Sequence, residues 1–421
     1  MDHTIRERYQ LVVIGAGAAG LGAAVSAFQS GLTDILLLEK EERPGGVLGQ
    51  CIHSGFAGDS LELTGPEYAA SLAARVKAAG IRLVTEAFVT EVSDRRVSFL
   101  RPDGRYTVAA DAVILAAGCT EKHAARLGIT GSRPAGVYTA GEAQRLLNVS
   151  GYDLGDDAII LGAGDIGLIV ARRLALLGKR VARIVERNGC PGALPKNQLL
   201  CLREFSLPLT LNSTVTAVHG LSRIESVDVR DLTSGKTETV PCGCLILAAG
   251  LTPDDALAAD EPWLIRCGNA DFIHTTVEDI ARSARRAGKA AADHVLHGVL
   301  PAPEPRPAVT PAPLRGDETV CLLCHRGCVM KNVGGRVEGA GCARGEAFAL
   351  TDEGRRYCSA AVRVRGSGRL LPVRTDRPVT ERQRGDFLSF ARSAVIEPPV
   401  YRCQALFAGD GFAAIACADA P

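Results

Sequence analysis

The chain has 421 residues, enough for two or three domains that each bury a core. Its 48 basic and 47 acidic side chains leave a net charge of +1, which excludes a strong field for nucleic acid or an anionic membrane. The charged segment Met1–Arg8 does not have the pattern of a secretory leader, and no apolar run approaches the roughly 20 residues of a membrane span. We therefore expect a soluble, cytoplasmic protein whose fourteen cysteines indicate metal or redox chemistry more than disulfides.

Two glycine-rich turns of the pattern G-x-G-x-x-G follow short apolar runs, Leu11–Ile14 and Ala158–Leu161, and a helical pattern follows each turn. The first glycine permits a tight turn, the second lets the backbone approach a pyrophosphate, and the third allows close packing of helix on strand. An acidic residue that can bind ribose hydroxyls, Glu39 or Glu186, ends the next strand of each unit. The alternative is plain α/β structure. The sequence therefore predicts two dinucleotide sites, on Gly15, Gly17 and Gly20 and on Gly162, Gly164 and Gly167.

Alternating strand and helix patterns continue to about residue 299 and predict an α/β fold, with one helix from Pro66 to Ala79. The strand Ala112–Gly118 has a near copy, Cys244–Gly250, and both end in Ala-Ala-Gly. Small residues at a strand end let the backbone pass close to a cofactor, which makes Gly118 a candidate binding residue. Because the second glycine turn lies between the two copies, we expect its domain to be inserted into the first.

Four cysteines cluster beyond the proline-rich segment 300–317, which we interpret as a semi-rigid linker. They are Cys321, Cys324, Cys328 and Cys342, and the glycines between them permit turns that would let the thiolates converge. Four cysteines suit an iron–sulfur cluster or a structural zinc ion. Structural or disulfide-bonded cysteines are the remaining alternative. The segment resembles the [4Fe-4S] region of molybdopterin oxidoreductases, and residues 318–421 resemble a small domain often encoded beside flavoproteins, so a [4Fe-4S] cluster is favoured over zinc.

Residues 9 to about 297 resemble the flavoproteins with two dinucleotide-binding domains, the group that includes thioredoxin and glutathione reductases. Besides the glycine turns and Glu39, the pair Gly45-Gly46 and the tripeptide Cys267-Gly268-Asn269 carry this resemblance. It implies FAD on the first turn, with Gly46 and Gly268 in the same site and Asn269 on the ribityl chain, where the group more often has Asp. It implies NAD(P)H on the second turn, and Glu186 favours NADH because a carboxylate would repel the 2′-phosphate of NADPH.

Together with the proline-rich linker and the cysteine cluster, this resemblance implies two Rossmann-like domains, with the NAD(P)H domain inserted in the FAD domain, and a small cysteine-rich C-terminal domain. We expect the bounds to be 1–120 with 250–299 for FAD, 121–249 for NAD(P)H, 300–317 for the linker and 318–421 for the four-cysteine domain.

Three residues are candidates for the catalytic site: Cys51, His53 and His274. Disulfide reductases of this group carry C-x-x-C or C-x4-C beside the flavin, but Cys51 stands alone after the Gly45-Gly46 pair, so ordinary thioredoxin-reductase chemistry is not expected. Cys51 and His53 could flank the flavin as a proton-transfer or acceptor site, or be a buried cysteine and a structural histidine. His274 precedes a helix predicted to begin near Thr275-Thr276, and it would contact the flavin or be structural.

A narrower resemblance, carried by Gln50–Phe56, Glu62–Tyr68 and Arg133–Gly141, is to bacterial flavoproteins that accompany a dehydrogenase similar to anaerobic glycerol-3-phosphate dehydrogenase. Related proteins are subunits of opine- and amino-acid-oxidising complexes. The resemblance implies an oxidoreductase that passes electrons between nicotinamide, FAD and the C-terminal cluster, to or from a partner flavoprotein dehydrogenase in a hetero-oligomer. The alternative is a non-catalytic docking subunit with a structural zinc, which the short segment Gly250–Cys267 favours.

Overall fold

The computed structural model describes residues 5–56, 63–257, 261–299, 312–323 and 327–420. The chain forms two compact units. The first consists of Met1–Gly49, Gly65–Thr120 and Leu251–Ala308, and the second of Gln50–Thr64, Glu121–Gly250 and Val309–Pro421. The finer division into four segments stays a prediction, and residues 300–311 of the predicted linker lie outside the described residues. Among the described residues, no helix is both long and apolar enough to cross a membrane.

The strands up to residue 299 are, in chain order, β1 (Arg8–Ile14), β2 (Ile35–Leu38), β3 (Arg82–Val84), β4 (Phe88–Ser93), β5 (Arg96–Arg101), β6 (Gly104–Leu115), β7 (Cys119–Glu121), β8 (Thr130–Gly131) and β9 (Val137–Thr139). They continue with β10 (Ala158–Leu161), β11 (Val181–Val185), β12 (Leu209–Thr210), β13 (Ser213–Gly220), β14 (Ile224–Asp231), β15 (Thr237–Pro241), β16 (Cys244–Leu247), β17 (Leu251–Pro253) and β18 (Leu264–Arg266). The helices are α1 (Ala18–Gln29), α2 (Gly65–Ala78), α3 (Ala140–Arg145), α4 (Asp165–Leu176), the single turn α5 (Pro195–Asn197) and α6 (Val277–His297).

The first unit is built on a sheet of order β3-β2-β1-β6-β5-β4, with β18 also paired to β6. The strands β3, β2, β1, β6 and β18 are parallel, and β5 and β4 extend the sheet antiparallel. Alternate residues of β1 enter different cores: Leu11 and Val13 pack with α1 and α6, whereas Val12 and Ile14 pack on the opposite face. This burial on both faces explains why residues 11–14 of β1 and all of β2 are apolar.

The second unit repeats this pattern with a parallel sheet of order β12-β11-β10-β16-β9. A four-stranded sheet, β15-β14-β13-β8, packs beside it through a shared apolar core that includes Val185, Val215 and Leu245. Both sheets are encoded between β6 and β18, which belong to the first sheet. The predicted α/β fold with two Rossmann-like sheets is therefore confirmed, and the helix predicted from Pro66 to Ala79 is α2.

The C-terminal residues form two small sheets in the second unit. Their elements are β19 (Glu318–Val320), β20 (Val329–Val333), β21 (Arg336–Glu338), α7 (Ala343–Thr351), β22 (Ser359–Val364), β23 (Leu370–Thr375), α8 (Glu381–Ser393), β24 (Val395–Ile396), β25 (Ala405–Gly409) and β26 (Phe412–Ala416). The sheet orders are β19-β20-β21 and β24-β22-β23-β26-β25. The core of the larger sheet also contains Leu176 of α4 and Phe205, so it is continuous with the preceding fold.

Candidate functional site

The first glycine turn connects β1 to α1 and leaves open space at one position only. Gly15 has a φ of +94°, and an ideal Cβ there would lie 2.6 Å from the Ala116 carbonyl oxygen. A Cβ on Gly20 would overlap the Gly15 carbonyl oxygen. Gly17, which caps the N-terminus of α1, differs because a Cβ there would meet no described atom within 4 Å. The turn is thus closed against its own strand and helix and open in front of the helix N-terminus, which fits a pyrophosphate.

The second glycine turn has the same arrangement between β10 and α4. Gly162 has a φ of +109°, and a Cβ on it would overlap the Ala248 carbonyl oxygen. A Cβ on Gly167 would overlap the Gly162 carbonyl oxygen, whereas one on Gly164 at the α4 N-cap would meet no described atom within 4 Å. The two turns therefore present the same kind of anion-binding space.

The two acidic residues are buried against these turns. The Glu39 carboxylate accepts hydrogen bonds from the backbone N–H groups of Ala16 (2.7 Å) and Glu41 (2.9 Å). The Glu186 carboxylate accepts one from the Ala163 N–H at 2.8 Å and two from Asn188, through its backbone N–H and Nδ2 at 2.9 Å each. In both units the carboxylate is therefore held beside the middle of the glycine turn, where a ribose would follow the pyrophosphate.

The remaining glycines predicted for the FAD site gather around the first turn. A Cβ on Gly46 would lie 3.2 Å from the Gly17 Cα, and the Gly45 N–H donates to the Ala16 carbonyl at 2.8 Å. A Cβ on Gly268 would lie 2.6 Å from the Ala19 Cβ in the first turn of α1. Gly118, at the end of the Ala-Ala-Gly strand, has a φ of +86° and no described atom near a Cβ position. Their assignment as FAD ligands stays a prediction.

Asn269, the residue after Gly268, is hydrogen-bonded to His274. The Asn269 Oδ1 accepts from the His274 backbone N–H at 2.9 Å, and its Nδ2 lies 3.7 Å from the Cys119 Sγ. The His274 ring packs edge-on against Phe272, and its Nε2 is buried without a hydrogen-bond partner among the described residues. A buried imidazole nitrogen that lacks a partner suits a ligand hydrogen bond. Cys119 was not among the residues predicted from the sequence, although its place directly after Ala-Ala-Gly was a usable signal.

The helix predicted to follow His274 is α6, which begins at Val277. Thr276 is its N-cap, and the hydroxyl accepts from the Asp279 N–H at 3.2 Å and donates to the Asp279 Oδ2 at 2.8 Å.

Cys51 and His53 lie in the second unit, in the segment Gln50–Thr64. The Cys51 Sγ is 3.7 Å from the Gln144 Oε1, and burial raises the pKa of this thiol to about 12. Burial lowers the pKa of His53 to about 4, and the nearby charges of Arg172 and Lys196 act in the same direction. At neutral pH the thiol is therefore protonated and the imidazole neutral, so Cys51 is not a thiolate nucleophile. Their placement beside the flavin stays a prediction.

Three of the four C-terminal cysteines are described, and Cys324 lies outside the described residues. The Cys321 backbone N–H donates to the Cys328 carbonyl at 2.9 Å, and Cys342 is the N-cap of α7. An ideal Cβ on Gly345 would lie 3.6 Å from the Cys321 Sγ and 3.9 Å from the Cys342 Sγ. In the described part of the chain no three metal-ligating side chains form a complete group, and no disulfide joins two cysteines.

Two Rossmann-like sheets, each with an open glycine turn and a buried acid, define a protein with two folds of the dinucleotide-binding type. Residues 9–280 match the sequence profile of the family described as pyridine nucleotide-disulphide oxidoreductase, and the chain belongs to this family. The predictions that it is an FAD- and NAD(P)-dependent enzyme are thereby confirmed at this level.

Individual relatives of the chain are reductases or oxidase subunits by name. The chain is 25% identical over 303 residues to a thioredoxin reductase of Treponema pallidum, a match that covers 68% of this chain and 94% of the relative. It is 27% identical over 275 residues to an opine oxidase subunit of Agrobacterium tumefaciens, and this match covers 59% of this chain and 54% of the relative. The structure of Lactococcus lactis thioredoxin reductase superposes with a TM-score of 0.57 at 20% identity, over 68% of this chain and 99% of the other.

Proposed function

We propose that the protein passes electrons between NADH, FAD and an iron–sulfur cluster bound by Cys321, Cys324, Cys328 and Cys342, to or from a partner dehydrogenase. The observation that carries the proposal is that the Cys321 and Cys342 sulfurs both lie within 4 Å of the Cβ position of Gly345, while the Cys321 N–H donates to the Cys328 carbonyl. When bound, FAD would exchange a hydride with the nicotinamide and single electrons with the cluster.

The surroundings of the cysteines favour an anionic metal centre. The absence of a side chain at Gly345 keeps the surroundings of the Cys321 and Cys342 sulfurs open, because a Cβ there would lie 3.6 and 3.9 Å from them and 3.9 Å from the Met330 Sδ. Cys342 is placed at the N-terminus of α7, whose dipole favours negative charge such as that of a thiolate-bound cluster. Cys321 is buried and Cys342 exposed, so the group reaches from the interior to the surface, as transfer to a partner requires.

Electrostatics at the second turn favour NADH over NADPH. Three N–H donors hold the Glu186 carboxylate where the 2′-phosphate of NADPH would approach. Arg183, a cation close to Glu186 in sequence, forms an ion pair with Glu238 of β15. Its charge is therefore already compensated, which leaves Arg187, exposed directly after Glu186, as the neighbouring cation that opposes this preference.

Two observations favour an acceptor on a partner protein. Cys51 lacks a neighbouring cysteine for a redox disulfide, and its raised pKa keeps it a thiol. The similarity to an opine oxidase subunit supports the proposal that this protein acts as one subunit of a complex. The partner would be a dehydrogenase of a hydroxy acid, an amino acid or glycerol 3-phosphate.

An anaerobic visible spectrum, recorded before and after addition of NADH, tests this proposal. We expect flavin bands and a broad cluster absorbance near ~400 nm to bleach together. Bleaching of flavin alone, with zinc in the metal analysis, would contradict the relay. A colourless protein that takes up no FAD would support the docking role instead.

The variant Cys342→Ser tests the role of the cluster independently of the flavin. Cys403→Ser, at an exposed cysteine outside the group of four, is the matched control. We expect Cys342→Ser to keep FAD and NADH-dependent flavin reduction but to lose iron and electron delivery to an added one-electron acceptor. Cys403→Ser should retain all of these properties. Full iron content in Cys342→Ser would exclude this residue as a ligand.

A further inference from the structure

The segment Gln50–Phe56 is encoded between β2 and β3 of the first sheet, but it packs in the second unit. The chain leaves the first unit after Gly49 and returns to it at Gly65. A short 3₁₀ helix, Gly46–Gln50, joins the glycine pair of the first unit to the start of this segment. We call Gln50–Phe56 the docked segment.

Hydrogen bonds hold the first two residues of the docked segment on α3 and on the π-helical turn that follows it. The Asn148 Nδ2 donates to the Gln50 carbonyl at 2.9 Å, and the Gln50 Nε2 donates to the Gly141 carbonyl at 2.9 Å. The Cys51 Sγ lies 3.7 Å from the Gln144 Oε1. Gln144 and Asn148 are each 5% exposed, so these amide groups are used inside the protein. Asn148 lies in the π-helical turn, a feature that is frequent at functional sites.

The Asn148 side chain also joins the docked segment to α4, the helix that begins at the second glycine turn. Its Oδ1 accepts from the Arg173 Nε of α4 at 2.8 Å, while its Nδ2 is used by Gln50. Arg173 is 7% exposed, and its buried N–H group needs an acceptor. This need accounts for the Asn148 Oδ1, but it does not account for a donor aimed at a backbone carbonyl encoded in the first half of the chain.

Further along, the docked segment lies close to the elements that border the second glycine turn. An ideal Cβ on Gly55 would lie 3.9 Å from the Lys196 Nζ of α5. The next residue of α5, Asn197, donates through its Nδ2 to the Asp165 Oδ1 at 2.6 Å, and Asp165 is the first residue of α4 after Gly164. The docked segment is thus linked to α4 through Asn148 and lies beside α5.

The other end of this connection is at the first glycine turn. A Cβ on Gly46 would lie 3.2 Å from the Gly17 Cα, which faces the open space in front of α1. A dinucleotide on the first turn would therefore restrain Gly17 and Gly46, and one on the second turn would restrain α4. Because only the 3₁₀ helix separates Gly46 from Gln50, restraint at one end is passed along the chain to the other.

We propose that Asn148 is a positioning residue that couples the two dinucleotide sites. It holds the docked segment on the second unit, so that a dinucleotide bound at one turn strengthens binding at the other. The second ligand then binds a chain that the first ligand has already ordered, and it loses less conformational entropy. Linkage requires the same factor in both directions. The coupling concerns FAD and the nicotinamide dinucleotide and does not depend on the metal centre proposed above.

Titration of the full-length protein with FAD, followed by flavin fluorescence with and without saturating NAD⁺, measures this coupling. We expect NAD⁺ to tighten FAD binding about tenfold in the parent protein. Asn148→Asp keeps the acceptor for Arg173 but replaces the donor to the Gln50 carbonyl by a carboxylate oxygen. This variant should bind FAD alone about as tightly as the parent and should lose the effect of NAD⁺. Asn332→Asp is the matched control, because Asn332 is exposed in β20, and it should keep the full effect.

Two results of this titration would overturn the proposal: an FAD affinity in the parent that NAD⁺ does not raise, or full coupling in Asn148→Asp. Either result leaves the relay to the metal centre untouched, whereas a protein that takes up no FAD would refute both ideas. Gln50→Ala, which removes the bond to Gly141 and leaves Asn148 unchanged, is the second variant. It should reduce the coupling, and undiminished coupling would contradict a role of the docked segment.

Hydrogen exchange separates positioning from a general loss of structure. The Ile52 N–H donates to the Gln50 carbonyl at 3.1 Å, so its exchange should accelerate several-fold in Asn148→Asp, while exchange in α4 stays unchanged. Acceleration in α4 as well would mean that Asn148 only supports the fold of the second unit, and this would contradict the proposal.

Discussion

At the scale of single residues, the glycine turns separate two roles that look alike in the sequence. Gly15, Gly20, Gly162 and Gly167 are required by the fold, because a side chain would overlap backbone. Gly17 and Gly164 have room for a side chain, so the described fold does not require glycine there, which fits the predicted role of both in binding a dinucleotide. The G-x-G-x-x-G pattern could be recognised in the sequence because the turn is local. Which of its glycines the fold requires could be recognised only from the positions of Ala116 and Ala248.

Gly17→Ala and Gly20→Ala should therefore fail differently. The Gly17 Cβ would enter the open space, so we expect unchanged stability without FAD and at least about tenfold weaker FAD binding. The Gly20 Cβ would collide with the Gly15 carbonyl, so the free energy of unfolding should decrease by about 1–3 kcal/mol. Urea denaturation of the FAD-free protein and FAD titration give the two readouts. Equal loss of stability in both variants would be inconsistent with an open space at Gly17.

His53 gives a pH dependence whose sign follows from burial. Its folded pKa of about 4 is below the ordinary value of 6.5, so between these values the unfolded chain binds more protons. Stability should thus fall as the pH drops from about 6.5 towards 4, by about 1 kcal/mol or more at pH 5. His53→Gln should lessen this loss when urea midpoints are compared across pH. An unchanged pH profile in this variant would mean that His53 is solvated in solution.

At the scale of elements, helix packing in the two units sets opposite demands on glycine. Gly288 of α6 lies against α1, where an ideal Cβ would be 2.7 Å from the Ala27 nitrogen and would overlap the Ala23 carbonyl oxygen. Gly385 of α8 is exposed, and a Cβ there would meet no described atom within 4 Å. A helix beginning near Thr275-Thr276 was predicted from the sequence, but neither α8 nor the glycine that allows a close approach of two helices was.

The same substitution should therefore have opposite effects at the two sites. Gly288→Ala should destabilise by at least about 1 kcal/mol, because overpacking exceeds the gain in helix propensity. Gly385→Ala should stabilise by about 0.5–1 kcal/mol, because alanine restricts the unfolded chain without a clash. Chemical denaturation of both variants decides the matter. Stabilisation by Gly288→Ala would disprove the close contact of α1 and α6.

At the scale of the whole molecule, the C-terminal residues are part of the second unit and not a loosely attached module. The Gln198 side chain donates to the Ala312 carbonyl at 3.0 Å and accepts from the Leu314 N–H at 2.9 Å. Arg203 donates to the carbonyls of Arg315 (2.6 Å) and Glu318 (2.9 Å). The chain entering β19, directly before Cys321, is therefore held on the fold that carries the second glycine turn.

Arg203→Ala should loosen this attachment locally. Loss of its charge-assisted hydrogen bonds should cost about 1 kcal/mol, since these bonds lie at the protein surface. Hydrogen exchange of the β19 amides should accelerate several-fold, while exchange in β22 and β23 stays unchanged. Arg230→Ala, at an exposed residue of β14, is the control and should change neither. Unaltered exchange in β19 would show that Gln198 alone suffices.

The sequence by itself determined the class of the protein: two nucleotide turns, each followed by an acid at the next strand end, in an α/β chain of the pyridine nucleotide-disulphide oxidoreductase family. These features are encoded within about 30 consecutive residues each, so local pattern suffices. Only the tertiary structure decided the burial that keeps Cys51 a thiol, the approach of the Cys321 and Cys342 sulfurs to Gly345, and the stacking of Arg172 and Arg384 on Phe205. Those properties depend on burial and on partners far apart in the chain, whose proximity follows from packing and leaves no periodic signal in the sequence.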